Sequence, residues 1–91
     1  MSAIDDIARA KRLLEERLRD PESVRYGTVM AKRGVVCGVF NAKNGFGGYG
    51  GDEPFLGLGY PATVVYISSD AGFQSLWDAN CLNLTGFIRI D

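Results

Sequence analysis

Ninety-one residues, 46% of them apolar and 23% charged, with a formal net charge of −1, describe one globular domain over residues 1–91, too short for two cores and too evenly composed for disorder. The absence of histidine removes the commonest general base, the commonest zinc ligand and every Ser-His or Cys-His nucleophile. The uncharged stretch Phe55–Ser69 is broken by Gly57, Gly59 and Pro61, so nothing approaches the roughly 20 apolar residues of a membrane span.

Ala3, Ile7, Ala10, Leu14 and Leu18, with Ile4 beside them, recur at spacings of three and four and predict an amphipathic helix over residues 3–19. Ser2 supplies an N-cap with Asp5 three residues on, Lys11 snorkels at the edge of the stripe, and Asp20 before Pro21 stops the helix. An acidic start of this kind is unlike a secretory signal, so a cytoplasmic location is expected. Asp20-Pro21-Glu22-Ser23 reads as a single turn capped by Asp20. The period then changes to two: Val24, Tyr26, Thr28 and Met30 alternate with Arg25, Gly27, Val29 and Ala31, a strand that Lys32-Arg33-Gly34 turns back as a hairpin. Residues 35–42 are apolar on both faces and belong at the centre of a sheet, with Gly38 at a bulge or close backbone approach.

Residues 44–51, Asn-Gly-Phe-Gly-Gly-Tyr-Gly-Gly, form a loop. Residues 52–58, which hold Pro54, are expected as a short edge strand, Gly59-Tyr60-Pro61 as a turn, and residues 62–68 as a β-branched strand. Ser69 or Asp70 caps a second helix with Phe73, Leu76, Trp77 and Cys81 on one face, and residues 85–90 add a last strand through Ile88 and Ile90. The expected fold is α+β: an antiparallel sheet of three or four strands carrying the N-terminal helix and the second helix on one face, with Leu14, Phe73 and Trp77 buried between the layers.

Gly45 to Gly50 fit G-x-G-x-x-G, but Asp52-Glu53-Pro54 cannot open a helix there and sets two carboxylates where a pyrophosphate would approach. Lys43 precedes the glycines, so no P-loop is present and no nucleotide is expected. Two readings of the loop remain: a structural Ω-loop packed on Phe46 and Tyr49, or a recognition loop in which Phe46 anchors and Tyr49 is exposed. Residues 1–43 carry a net +3 and residues 44–91 a net −4. Arg9, Lys11, Arg12, Arg17 and Arg19 are either a footprint for an acidic partner or a solvated helix face paired as Asp5–Arg9 and Glu15–Arg19. An isoelectric point of about 5.3 argues against nucleic acid. For Cys37 and Cys81 three states stay open: buried free thiols, a disulfide pinning helix to sheet, or a reactive thiol.

Asp20-Pro21-x-Ser23, then Val36-Cys37-Gly38-x-x-Asn41-Ala42-Lys43-Asn44-x-x-Gly47-Gly48-Tyr49-x-Gly51, and finally Phe73-x-x-x-Trp77-x-x-x-Cys81 resemble a family of small bacterial and phage proteins of unknown function. Many members look exported, and the resemblance implies that cysteines matching Cys37 and Cys81 pair in that setting. It also implies that Asn41, Asn44 and the glycine loop form one connected feature, and it brings neither an activity nor a cofactor. The function expected is a non-enzymatic protein-binding module, in form a phage-type inhibitor that occludes a host defence protein, with Asn41, Asn44, Phe46, Tyr49, Arg12 and Arg19 as candidate binding residues. The alternative is a small-ligand or peptide-binding module of the bacterial cell envelope, with the loop as a pocket wall.

Overall fold

A computed structural model describes residues 3–43 and 47–89. Helix α1 (Ala3–Glu15) and a 3₁₀ turn (Pro21–Ser23) lead into four strands, β1 (Arg25–Lys32), β2 (Val35–Asn41), β3 (Glu53–Gly59) and β4 (Ala62–Ile67); helix α2 (Phe73–Cys81) and a two-residue strand, β5 (Ile88–Arg89), follow. The strands form one antiparallel sheet in the order β4-β3-β2-β1-β5. The α+β class is as expected; the sheet has five strands rather than three or four, because all the expected strands join it, the tail pairing with β1 at Met30–Arg89 and Ala31–Ile88. The expected cap Ser2 and strand residue Ile90 lie outside the described residues.

The apolar stripe of α1 buries Ile7, Ala10 and Leu14 against Val36, Phe40, Phe55 and Val65, each of these side chains other than Ala10 contributing about 1.5–3 kcal/mol. Small residues set the approach: a β-carbon built on Gly57 would stand 3.0 Å from that of Ala10. The helix ends at Glu15, four residues before the expected stop, because its last turn tightens through Arg17 N–H to Leu14 O (2.9 Å) and Leu18 N–H to Glu15 O (3.2 Å). Arg19 is therefore not one helical turn below Glu15, and the expected pair is not made. Glu15 accepts the Tyr26 hydroxyl instead (2.7 Å), while the Lys11 ammonium lies 4.5 Å from the centre of the Tyr26 ring. Burial first, then Glu15, pushes the Tyr26 phenol well above its ordinary value. In the 3₁₀ turn Asp20 makes no side-chain cap; Ser23 Oγ donates to the Asp20 carbonyl at 2.7 Å.

Strict alternation fails in β1. Tyr26 pairs with Phe40 but Val29 pairs with Gly38, so one extra residue is inserted between them as a β-bulge. The bulge puts Val29 and Ala31 on the α1 face with Tyr26 and turns Met30 to the other face, whereas a period of two groups Tyr26 with Met30. The hairpin turns on Gly34, at φ 82°.

Two further expectations are corrected. The helices do not share a face. Along β2, Val36 and Phe40 meet α1, whereas Val35 and Cys37 join Leu56, Leu58, Tyr66, Phe73 and Cys81 in a second cluster under α2. A strand apolar on both sides needs cover on both. Residues 53–59 are not an edge strand either: β3 lies between β2 and β4, and Pro54 fits because pairing with β4 begins only at Phe55.

Of the two edges, that at β4 is closed by side chains. Arg9 donates to the Ala62 carbonyl (3.1 Å) and Arg17 to that of Val65 (2.8 Å), and the Asp70 carboxylate accepts from Ile67 N–H (2.8 Å). Arg17 also grips Asp70 with two bonds, at 2.7 and 2.8 Å, joining the basic half of the chain to the acidic half. With Asp70 so engaged, neither it nor Ser69 caps α2, which starts instead from Gly72 at φ 78°. The Arg17 hydrogen bond, then that from Ile67, lowers the Asp70 carboxyl from 3.8 to about 2. A depressed folded-state value stabilises the fold above pH 3.8 and is lost as pH falls through about 2. Urea melts between pH 5 and pH 2, in ranges set by these values, should show falling stability, with a shallower slope in Asp70→Asn; an identical slope would remove Asp70 from the acid response.

Candidate functional site

The three motif fragments come together in two places. Ser23 joins the first to the second: its Oγ accepts from Lys43 N–H (3.0 Å) while donating to Asp20, and its carbonyl accepts the Tyr49 hydroxyl (3.0 Å). Lys43 and Tyr49 form an isolated antiparallel bridge across the loop. Cys37 and Cys81 join the second fragment to the third as a disulfide, with Cα atoms 5.9 Å apart. Of the three states open from sequence, the disulfide is the one found, and neither sulfur is a free thiol.

Tyr49 is 37% exposed, its hydroxyl bonded and its ring 4.6 Å from the Arg25 guanidinium carbon. It is thus a surface ring held in place, combining features of both readings of the loop. Arg25 lies opposite Asn41 in the β1–β2 ladder, so the two share the α2 face, and the Tyr49 ring meets the Arg25 guanidinium. Asn41 Oδ1 is buried without a hydrogen-bond partner. The structure brings together Asn41 and Tyr49 but not Arg12, which is exposed on α1 across the sheet, nor Arg19, exposed in the turn after that helix. Asn44 and Phe46 lie outside the described residues.

Beside this cluster α2 leaves part of its sheet face uncovered. Thr28, Met30 and Val39 form the floor of a shallow apolar groove of about 140 Å³, with Cys37, Trp77 and Leu84 along its wall. Trp77 is half-buried rather than enclosed as expected: it stacks on Phe73, ring centres 5.7 Å apart, and presents its remaining surface to the groove. Arg25 and Arg89 flank the floor, since their ladder partners Asn41 and Met30 lie on that face.

No protein-family model matches the chain, and neither a curated protein nor a solved structure matches it. Among the described residues, no helix is long and apolar enough to cross a membrane.

One residue that the sequence reading passed over is Asp6. It stands three residues after Ala3 and four before Ala10, within the stripe that α1 buries, and is 3% exposed with Oδ1 lacking any hydrogen-bond partner. That spacing is the signal: a carboxylate on the apolar side of an amphipathic helix.

Proposed function

We propose that this protein is a non-enzymatic protein-binding module that recognises its partner through the α2 face. The carrying observation is the groove between β1–β2 and Trp77. It offers an aromatic wall beside a positioned Tyr49–Arg25 pair, and Trp, Tyr and Arg are the residues in which binding energy concentrates at interfaces. Arg25 beside the groove favours a partner segment with an apolar anchor and an acidic neighbour. The absence of histidine and the bonding of both thiols support a binder over an enzyme. A phage-type inhibitor that occludes a host defence protein is one form of such a module, in keeping with the family resemblance.

The disulfide favours a second setting. Structural disulfides persist in oxidising compartments, which supports a peptide-binding module of the bacterial envelope over a cytoplasmic one.

Pull-down from bacterial lysate with the wild type, Trp77→Ala, Tyr49→Ala and Arg12→Ala/Arg19→Ala, each with its melting curve, tests the surface. A partner held by the wild type and by the double arginine variant, but weakened about thirtyfold or more by Trp77→Ala, is the expected result. Undiminished recovery by Trp77→Ala would move the interface elsewhere.

A further inference from the structure

We infer that a second site, on the α1 face, binds a small zwitterion of amino-acid size, its ammonium group on Asp6 and its anionic group on the Lys32–Arg33 hairpin. The site is a cavity of about 310 Å³ between the start of α1, the β1–β2 hairpin and the residues before β5. That volume is at the lower end of the range for small-ligand pockets, about 300–1,000 Å³.

Its walls are chemically divided. Asp6 lines it from α1, nine-tenths buried, with Oδ1 unpartnered. Lys32 and Arg33 line it from the β1–β2 hairpin and Tyr60 from the turn between β3 and β4. Lys32 Nζ donates to the Thr85 carbonyl at 3.2 Å, and the Arg33 guanidinium lies over the Tyr60 ring at 4.8 Å. Neither cation pairs with Asp6; the ion pair among the described residues is Arg17–Asp70. An ionised carboxylate buried without a partner is costly, and a cationic donor carried in by a ligand removes that cost. Arg33 keeps its forked N–H donors while stacked on a ring, which suits it to a carboxylate. Ala31 and Ile88 supply apolar surface to the same lining. A metal ion fits poorly: a single carboxylate facing two cations is not an oxygen cage, and no cluster of three acidic or thiol ligands occurs among the described residues.

The test is a ¹⁵N–¹H titration of the full chain with each of the twenty standard L-amino acids, then with the amine and the carboxylic acid that correspond to the tightest binder. Saturable shifts at the Ala31, Lys32 and Gly86 amides are expected, weaker with the amine and absent with the acid alone. Asp6→Asn should weaken binding about tenfold or more, as loss of a charge-assisted bond does. If Asp6→Asn fails to fold, Arg33→Gln carries the same expectation from an exposed position. The proposal fails if no amino acid saturates these amides at millimolar concentration, if the bare amine binds as tightly as the zwitterion, or if the variants bind like the wild type. The pull-down read through Trp77 is independent of each of these outcomes.

Discussion

Reducing the Cys37–Cys81 bridge should cost roughly 3–4 kcal/mol, the loop-closure entropy that a crosslink spanning 44 residues removes from the unfolded chain. A domain of this length is stable by only about 5–14 kcal/mol, so reduction takes a large share. The loss falls unevenly. Among the described residues, ten apolar side chains form the buried cluster on the α1 side of the sheet, whereas the buried cluster under α2 is Cys37, Leu56, Phe73 and Cys81, half of it the bridge itself. Denaturant melts of the oxidised protein and of Cys37→Ala/Cys81→Ala should separate by that amount. In hydrogen exchange the amides of Phe73–Cys81 should lose protection before those of β2 and β3. Equal midpoints with and without reductant would show that packing alone holds α2.

Phe55→Ala should be the most damaging single truncation, costing about 3–5 kcal/mol. Phe55 is fully buried at the centre of the α1-side core and meets Tyr26 and Phe40 edge to face, with ring centres 5.9 and 6.0 Å away. Its ring rests on bare backbone: a β-carbon at Gly38 would lie 2.6 Å from Cε1 and 2.7 Å from Cζ. Gly38→Ala should therefore destabilise by about 1–3 kcal/mol through overpacking. The same change made with Phe55→Leu should cost less, because the smaller side chain vacates the space. A double-mutant cycle reads that coupling directly; additive effects would mean that Gly38 and Phe55 do not compete for one volume.

Gly38 was half legible in the sequence: a glycine in a central strand marks a bulge or a close approach, and the close approach, of the Phe55 ring, is the one found. Helix α1 was legible too, since its stripe of Ile7, Ala10 and Leu14 has no competing period. What escaped sequence reasoning were features set by partners distant in the chain. The bulge between Tyr26 and Val29 leaves each residue with ordinary strand propensity and becomes visible only in the register against β2. Pro54 suggested an edge because the missing N–H matters only on the side where a neighbour pairs, and the place of β4 decides that side. The apolar character of both faces of β2 already required two covering layers; following that to its end would have put α2 opposite α1. At the candidate site Tyr49 and Asn41 were named from the loop pattern, but the groove was not, since Thr28, Met30, Val39 and Trp77 come from three separate elements.

The sheet divides the molecule into two chemical neighbourhoods that share little beyond the backbone of its strands. A substitution under α2 is felt through few contacts by the packing under α1, so each side is free to accumulate change without forcing compensation from the other. In evolutionary terms the α1 layer can preserve the fold while the α2 layer changes, with the crosslink limiting how far such change can loosen the structure.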